Sequence, residues 1–119
     1  MTAILIAEDE ILVRMVAVEV LRDAGYEVFE AGHGGEALDI LLKHSIDLLI
    51  TDIQMPQMNG YQLVEAVLQR WPETKIVLVT GYARDTVPDA VAKAALHTLQ
   101  KPFDVDRLPA MVSNLLALT

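Results

Sequence analysis

The chain has 119 residues, 53 % of them hydrophobic, which is the size of one ordinary domain with a real core and too short for a catalytic domain plus a separate reader. A net charge of −8 argues against binding nucleic acid or anionic lipid directly, because those contacts set Lys and Arg against phosphates. No run of about 18 uncharged apolar residues is present, so no membrane span is expected. The N-terminus also lacks the regions of a secretory signal, and the absence of cysteine excludes a disulfide framework and fits a reducing, cytoplasmic setting.

Ala3 to Ala7 is a short apolar run that stops at Glu8-Asp9-Glu10, which reads as a first strand ending in acid. From about Glu10 to Ala24, Val13, Val16, Ala17, Val20, Leu21 and Ala24 recur at helical spacing, and Gly25 supplies a stop. Ile11, Leu12, Met15 and Val18 are apolar as well, more than one core-facing stripe needs. A helix wedged broadly into the core is expected ahead of a docking surface for a partner helix.

Tyr26 to Glu30 reads as a second strand, and Glu36 to Lys43 as a helix entered through Gly32, Gly34 and Gly35. Leu48-Leu49-Ile50 is the continuous run of a strand buried on both faces, as in parallel sheets. A helix over Tyr61–Arg70 follows, with Leu63, Val64, Val67 and Leu68 toward the core and Trp71-Pro72 closing it. Lys75 to Thr80 is a fourth strand, and Thr86 to Ala95 a weaker helix with few large side chains to anchor it. A short strand near Thr98–Leu99 leads to Lys101-Pro102-Phe103 and a last helix with its stripe at Leu108, Met111, Val112 and Leu115. Pro109 moves the start of that helix to about Asp106. Strands alternating strictly with helices across short connections give right-handed βαβ units: an α/β domain, five parallel strands with five helices on both faces, over residues 1–119.

The carboxyl ends of these strands gather chemistry. The first carries Glu8 and Asp9, the third Asp52, the fourth Thr80 and the fifth Lys101. Crowded carboxylates repel unless a cation sits among them. Mg²⁺ suits such a cluster, since it favours one or two carboxylates with waters and phosphate oxygens. A metal and Lys101 would together neutralise an incoming phosphoryl group, and a carboxylate such as Asp52 can accept it covalently. The hydroxyl of Thr80 could bond the new phosphoryl oxygen.

Glu8-Asp9, Asp52 followed by Met55-Pro56 and Asn59-Gly60, Thr80-Gly81 and Lys101-Pro102-Phe103 resemble, in order and at the family's spacings, the signature of bacterial response-regulator receiver domains. The resemblance covers essentially the whole chain. It implies a flavodoxin-like strand order of 2-1-3-4-5 and a phosphoprotein of a two-component system, in which Asp52 takes a phosphoryl group from a phosphohistidine on a sensor kinase or phosphotransfer protein. It further implies Mg²⁺ held by Asp9, Asp52 and the carbonyl of Gln54, with Glu8 acting through water. Lys101 and Thr80 would contact the phosphoryl group, and the Lys101-Pro102 bond would be cis. The result would be read by a protein partner or by an output domain outside this chain.

One position departs from the family. Receivers usually carry Tyr or Phe three residues before the lysine, and here that residue is Thr98. With Thr80-Gly81-Tyr82, this resembles a subclass of stand-alone receivers. His97 reads as an ordinary strand residue near the surface, while Tyr82 could flank the acidic pocket or cover the following loop. Phosphorylation is therefore expected to reposition the loop from Gly81 to Asp85 and the helix after it without the usual Thr–aromatic coupling.

Two other readings compete. An aspartyl-nucleophile, Mg²⁺-dependent phosphatase would resemble this sheet and nucleophile, but those enzymes usually place a second acid two residues on, where Gln54 stands. A degenerate, partner-binding receiver is disfavoured by the presence of the acid pair, Asp52, Thr80 and Lys101 together. The expected protein is thus no turnover enzyme but a domain that catalyses its own phosphorylation and dephosphorylation.

Overall fold

The uninterrupted apolar runs become the interior of a parallel sheet. The structure, a computed structural model, describes residues 1–55, 58–81 and 89–117. In it, strands β1 (Ala3–Ala7), β2 (Glu27–Ala31), β3 (Leu48–Asp52), β4 (Lys75–Thr80) and β5 (His97–Gln100) alternate with helices α1 (Ile11–Asp23), α2 (Gly34–Lys43), α3 (Gly60–Arg70), α4 (Asp89–Ala94) and α5 (Leu108–Leu116). The sheet order is β2-β1-β3-β4-β5, every pairing parallel, as the resemblance implied.

Because successive side chains on a strand point to opposite faces, each interior strand feeds two cores. Ile4, Ile6, Leu48, Ile50, Val77 and Val79 meet Ala17, Val18 and Leu21 of α1 and Leu108, Val112 and Leu115 of α5. Leu5, Leu49, Ile76 and Leu78 meet α2, α3 and Val91 of α4 on the other face. The sheet is doubly wound, and its order reverses between β1 and β3, which places a crevice beyond the ends of those two strands.

Local chemistry sets where the helices start and stop. Asn59 and Gln62 form a reciprocal capping box at the head of α3, worth about 1 kcal/mol. Gly25, at φ 98°, ends α1 in a backbone conformation that suits glycine. His33 Nδ1 accepts from the N–H of Glu36, so α2 begins at Gly34, two residues before the expected Glu36, and Gly34 and Gly35 belong to its first turn while Gly32 stays in the connection. A 3-10 turn over Val105–Arg107 precedes α5, leaving Pro109 in its first turn, where its missing N–H costs nothing.

The expectation for α1 fails. Only Ala17, Val18 and Leu21 are buried, whereas Ile11 (61 %), Leu12 (76 %), Met15 (56 %) and Val16 (44 %) are exposed. The sheet and α5 cover one side of α1, Val13 and Val20 are half-buried at its edges, and those four apolar residues face outward. Leu68 of α3 is likewise 40 % exposed rather than part of the core. Residues 86–88 of the expected fourth helix, Pro56 and Tyr82 lie outside the described residues.

Candidate functional site

The sheet ladder runs on past the strand ends and holds the backbones of the crevice. The N–H of Glu8 donates to the carbonyl of Ala31 at 2.9 Å, that of Ile53 to Val79 at 3.1 Å, and that of Lys101 to Thr80 at 2.9 Å. Gly60 fits against the same place: a Cβ there would press into the backbone of Asp52 and Ile53. The head of α3 therefore packs directly under the loop that follows Asp52.

The side chains converge on Lys101. Its ammonium lies 2.6 Å from Glu8 Oε1, 2.8 Å from Asp52 Oδ2 and 2.9 Å from Glu10 Oε1. Asp52, buried at the end of β3, accepts from the N–H of Gln54 through Oδ1 at 3.2 Å. The second oxygen of Glu8 accepts from the N–H of Glu10 at 3.4 Å. Arg14 ties the β1–α1 connection to β2, donating to the carbonyl of Glu8 at 2.8 Å and to Glu30 Oε1 at 3.1 Å.

Burial raises the carboxyl of Glu8 from an ordinary 4.5 to about 8, and its hydrogen bond with Asp52 adds to the rise against the opposing pull of Lys101. Burial alone would lower Lys101. Its bonds with Asp52, Glu8 and Glu10 outweigh that and hold the ammonium well above its usual range. One permanent cation thus stands among three acidic side chains, of which Glu8 keeps its proton to about pH 8, and ionising it there calls for further positive charge.

A groove of about 800 Å³ opens over this cluster. Its polar wall includes Asp9, Asp52, Gln54, Gly81 and Lys101, and its apolar wall Leu12, Val13, Val16, Phe103 and Val105. Glu8, Asp52 and Lys101 are in direct contact, as the strand-end placement anticipated. Asp9, Gln54 and Gly81 line the groove. Thr80 stands one residue beyond Val79, the register partner of Asp52, and its buried hydroxyl donates to the carbonyl of Leu99 at 3.3 Å. Thr98 is exposed on β5, opposite Leu78, and His97 is exposed beside it. The Lys101-Pro102 bond is cis.

Glu10 was missed. Oxygens of Glu8, Glu10 and Asp52 all lie within 4.8 Å of one another, and hard oxygen donors at that spacing suit a divalent cation such as Mg²⁺. The sequence held the signal, since three consecutive acids end β1, but the family pattern draws attention to the first two.

A doubly wound domain with an acidic, lysine-bearing crevice at its switch point defines a class of phosphoryl-handling α/β proteins, and the comparisons narrow it. The response regulator receiver domain profile matches residues 4–113. The chain is 37 % identical to the sensor kinase CckA of Brucella abortus over 95 % of its own length, spanning 12 % of that kinase. It is 35 % identical to the response regulator receiver protein CpdR of the same organism, covering 98 % of both chains. The crystal structure of the response regulator TrrA of Thermotoga maritima, in complex with Mg²⁺-BeF, superposes with a TM-score of 0.83 at 33 % identity, covering 97 % of this chain and 99 % of that one. The chain belongs to the response regulator receiver domain family, the phosphoacceptor module of two-component signalling.

Proposed function

We propose that Asp52 is the phosphoacceptor of this domain. The observation that carries this reading is the Asp52 carboxylate itself, buried yet opening on the groove, with one oxygen on the Lys101 ammonium and the other on the N–H of Gln54. A carboxylate oxygen attacks phosphorus, the P–N bond of a phosphohistidine breaks, and its electron pair returns to the imidazole. Lys101 offsets the charge on the phosphoryl oxygens, and such transfer depends chiefly on positioning and charge.

The acidic donor set fits Mg²⁺. Asp9, Asp52 and the carbonyl of Gln54 would hold it, with Glu8 acting through water, and when bound it would supply positive charge to the phosphoryl oxygens. Thr80 would exchange the Leu99 carbonyl for a phosphoryl oxygen. Water attack on the phosphorus of the aspartyl phosphate would break its O–P bond, release inorganic phosphate and restore the Asp52 carboxylate, so the domain catalyses its own phosphorylation and dephosphorylation.

The donor is a sensor histidine kinase or a histidine phosphotransfer protein. The exposed Ile11, Leu12, Met15 and Val16 of α1 beside the apolar wall of the groove support a helical partner docking there. The excess of acid supports protein contacts over nucleic acid, and none of the described helices is long and apolar enough to cross a membrane; we place the protein in the cytoplasm. The state of Asp52 is read by a downstream protein or by an output domain joined to this one.

Incubation with a small acyl phosphate and Mg²⁺ tests the assignment. The domain should gain one acid-stable, base-labile phosphate that is lost in Asp52→Asn. Many turnovers would instead mark the aspartyl phosphatase, disfavoured because Gln54 has no carboxyl proton to give a leaving group. No incorporation would mark a partner-binding receiver.

A further inference from the structure

We propose that Glu10 is a displaceable counter-ion which holds Lys101 while Asp52 is unphosphorylated and yields the ammonium to the phosphoryl group; this rests on the reading of Asp52 as the acceptor.

An ammonium has three N–H donors, and here each meets a different carboxylate: Glu8, Asp52 and Glu10. A phosphoryl oxygen can reach Lys101 only by taking one of those places. The three partners are unequal. The side chains of Glu8 and Asp52 are each 6 % exposed, whereas that of Glu10 is 59 % exposed. Sending Asp52 away from its cation leaves an uncompensated charge in the protein, and moving Glu8 leaves a buried acid without its partner, while Glu10 is returned to water. Glu10 also lines the groove by which a donor must enter, so its place on Lys101 is the one an incoming phosphoryl oxygen reaches.

The helix start supplies the other half of the device. Glu10 is the N-cap residue of α1, yet its side chain makes no capping bond and the first turn carries no acid. The carboxylate engaged with Lys101 therefore has an alternative location over the free N–H groups of its own helix, where an anion is favoured. Release from Lys101 is an exchange between two sites a side-chain rotation apart.

The test measures phosphorylation of the whole chain by acetyl phosphate with Mg²⁺ in wild type, Glu10→Gln and Glu10→Asp. Glu10→Gln, which removes the ion pair, should raise the second-order rate constant roughly two- to fivefold, the cost of parting one half-exposed ion pair. Glu10→Asp keeps the charge but is one methylene short of Lys101 and a better N-cap, so it should also react faster. Both gains should persist in about 0.5 M salt, where the Debye length falls to about 4 Å and general repulsion is screened. In a Lys101→Met background, adding Glu10→Gln should change the residual rate by less than about twofold, as coupled residues do. Wild-type rates in both variants, a gain that vanishes in salt, or slower reaction in both would overturn the proposal. Incorporation that survives Asp52→Asn would overturn the reading of Asp52 instead, and this one with it.

Discussion

Lys101 is bonded to Thr80 through the backbone, its N–H donating to the Thr80 carbonyl at 2.9 Å, while its side chain reaches Asp52 at 2.8 Å. Two groups proposed to contact one phosphoryl moiety are thus fixed to each other by the sheet.

Lys101→Met should leave that backbone bond intact and remove only the ammonium. Glu8, Glu10 and Asp52 then face one another without a cation. Acyl-phosphate labelling should fall at least about tenfold. Urea unfolding should show a larger loss of stability near pH 8, where Lys101 helps Glu8 to ionise, than near pH 5, where Glu8 carries a proton. An equal loss at both pH values would show that Lys101 contributes packing rather than charge.

Glu8 makes a second pH dependence. Its carboxyl titrates near 8 in the folded chain against an ordinary 4.5, so between those values the folded state holds a proton that the unfolded chain has released. Stability without metal should therefore fall as pH rises from about 5 to about 8. Mg²⁺ binding, which needs the ionised acid, should tighten over the same window. Thermal melts with and without Mg²⁺ check both signs, and Glu8→Gln should flatten the metal-free profile.

The sheet and most of the site were legible in the sequence because both follow from strong local signals. Leu48-Leu49-Ile50 has no reading on a half-exposed element, and a strand buried on both faces puts its last polar residue, Asp52, at the ligand edge. The side of α1 that faces the core was not legible. Apolar residues surround that helix almost completely, and only the approach of α5 and the sheet selects Ala17, Val18 and Leu21 over Leu12 and Met15. Glu10 was passed over because the family pattern singles out the first two of the three consecutive acids after β1, and only the side-chain geometry shows the third reaching Lys101. The start of α2 at Gly34 depended on His33 acting as a cap, a role seldom read from a histidine.

Gly60→Ala should be costly although Gly60 sits in a helix, where alanine is ordinarily favoured. The added methyl would press on the Asp52 carbonyl and lie 2.7 Å from Ile53 Cα, atoms of backbone that cannot rotate away. Overpacking of this kind costs about 1–3 kcal/mol. Because the backbone that gives way carries Asp52, labelling by acyl phosphate should slow as well. Chemical denaturation gives the first quantity, and a variant as stable as wild type would show that α3 can shift freely against β3.

Thr80 has no ring at position 98 to pull inward, yet its hydroxyl is bonded to the Leu99 carbonyl at 3.3 Å. Turning that hydroxyl toward a phosphoryl oxygen must break this bond, and the peptide that loses it contains the N–H of Gln100 on the edge strand β5. With Mg²⁺ and beryllofluoride as the phosphoryl mimic, the amide of Gln100 should shift along with Glu8, Ile53 and Gln54 and with α4. In Thr80→Val, which keeps the shape and forfeits about 1 kcal/mol of hydrogen bonding, the pocket amides should still respond while Gln100 does not. Shifts confined to the pocket in the wild type would mean that Thr80 stays on Leu99 and that the signal leaves Asp52 by another route.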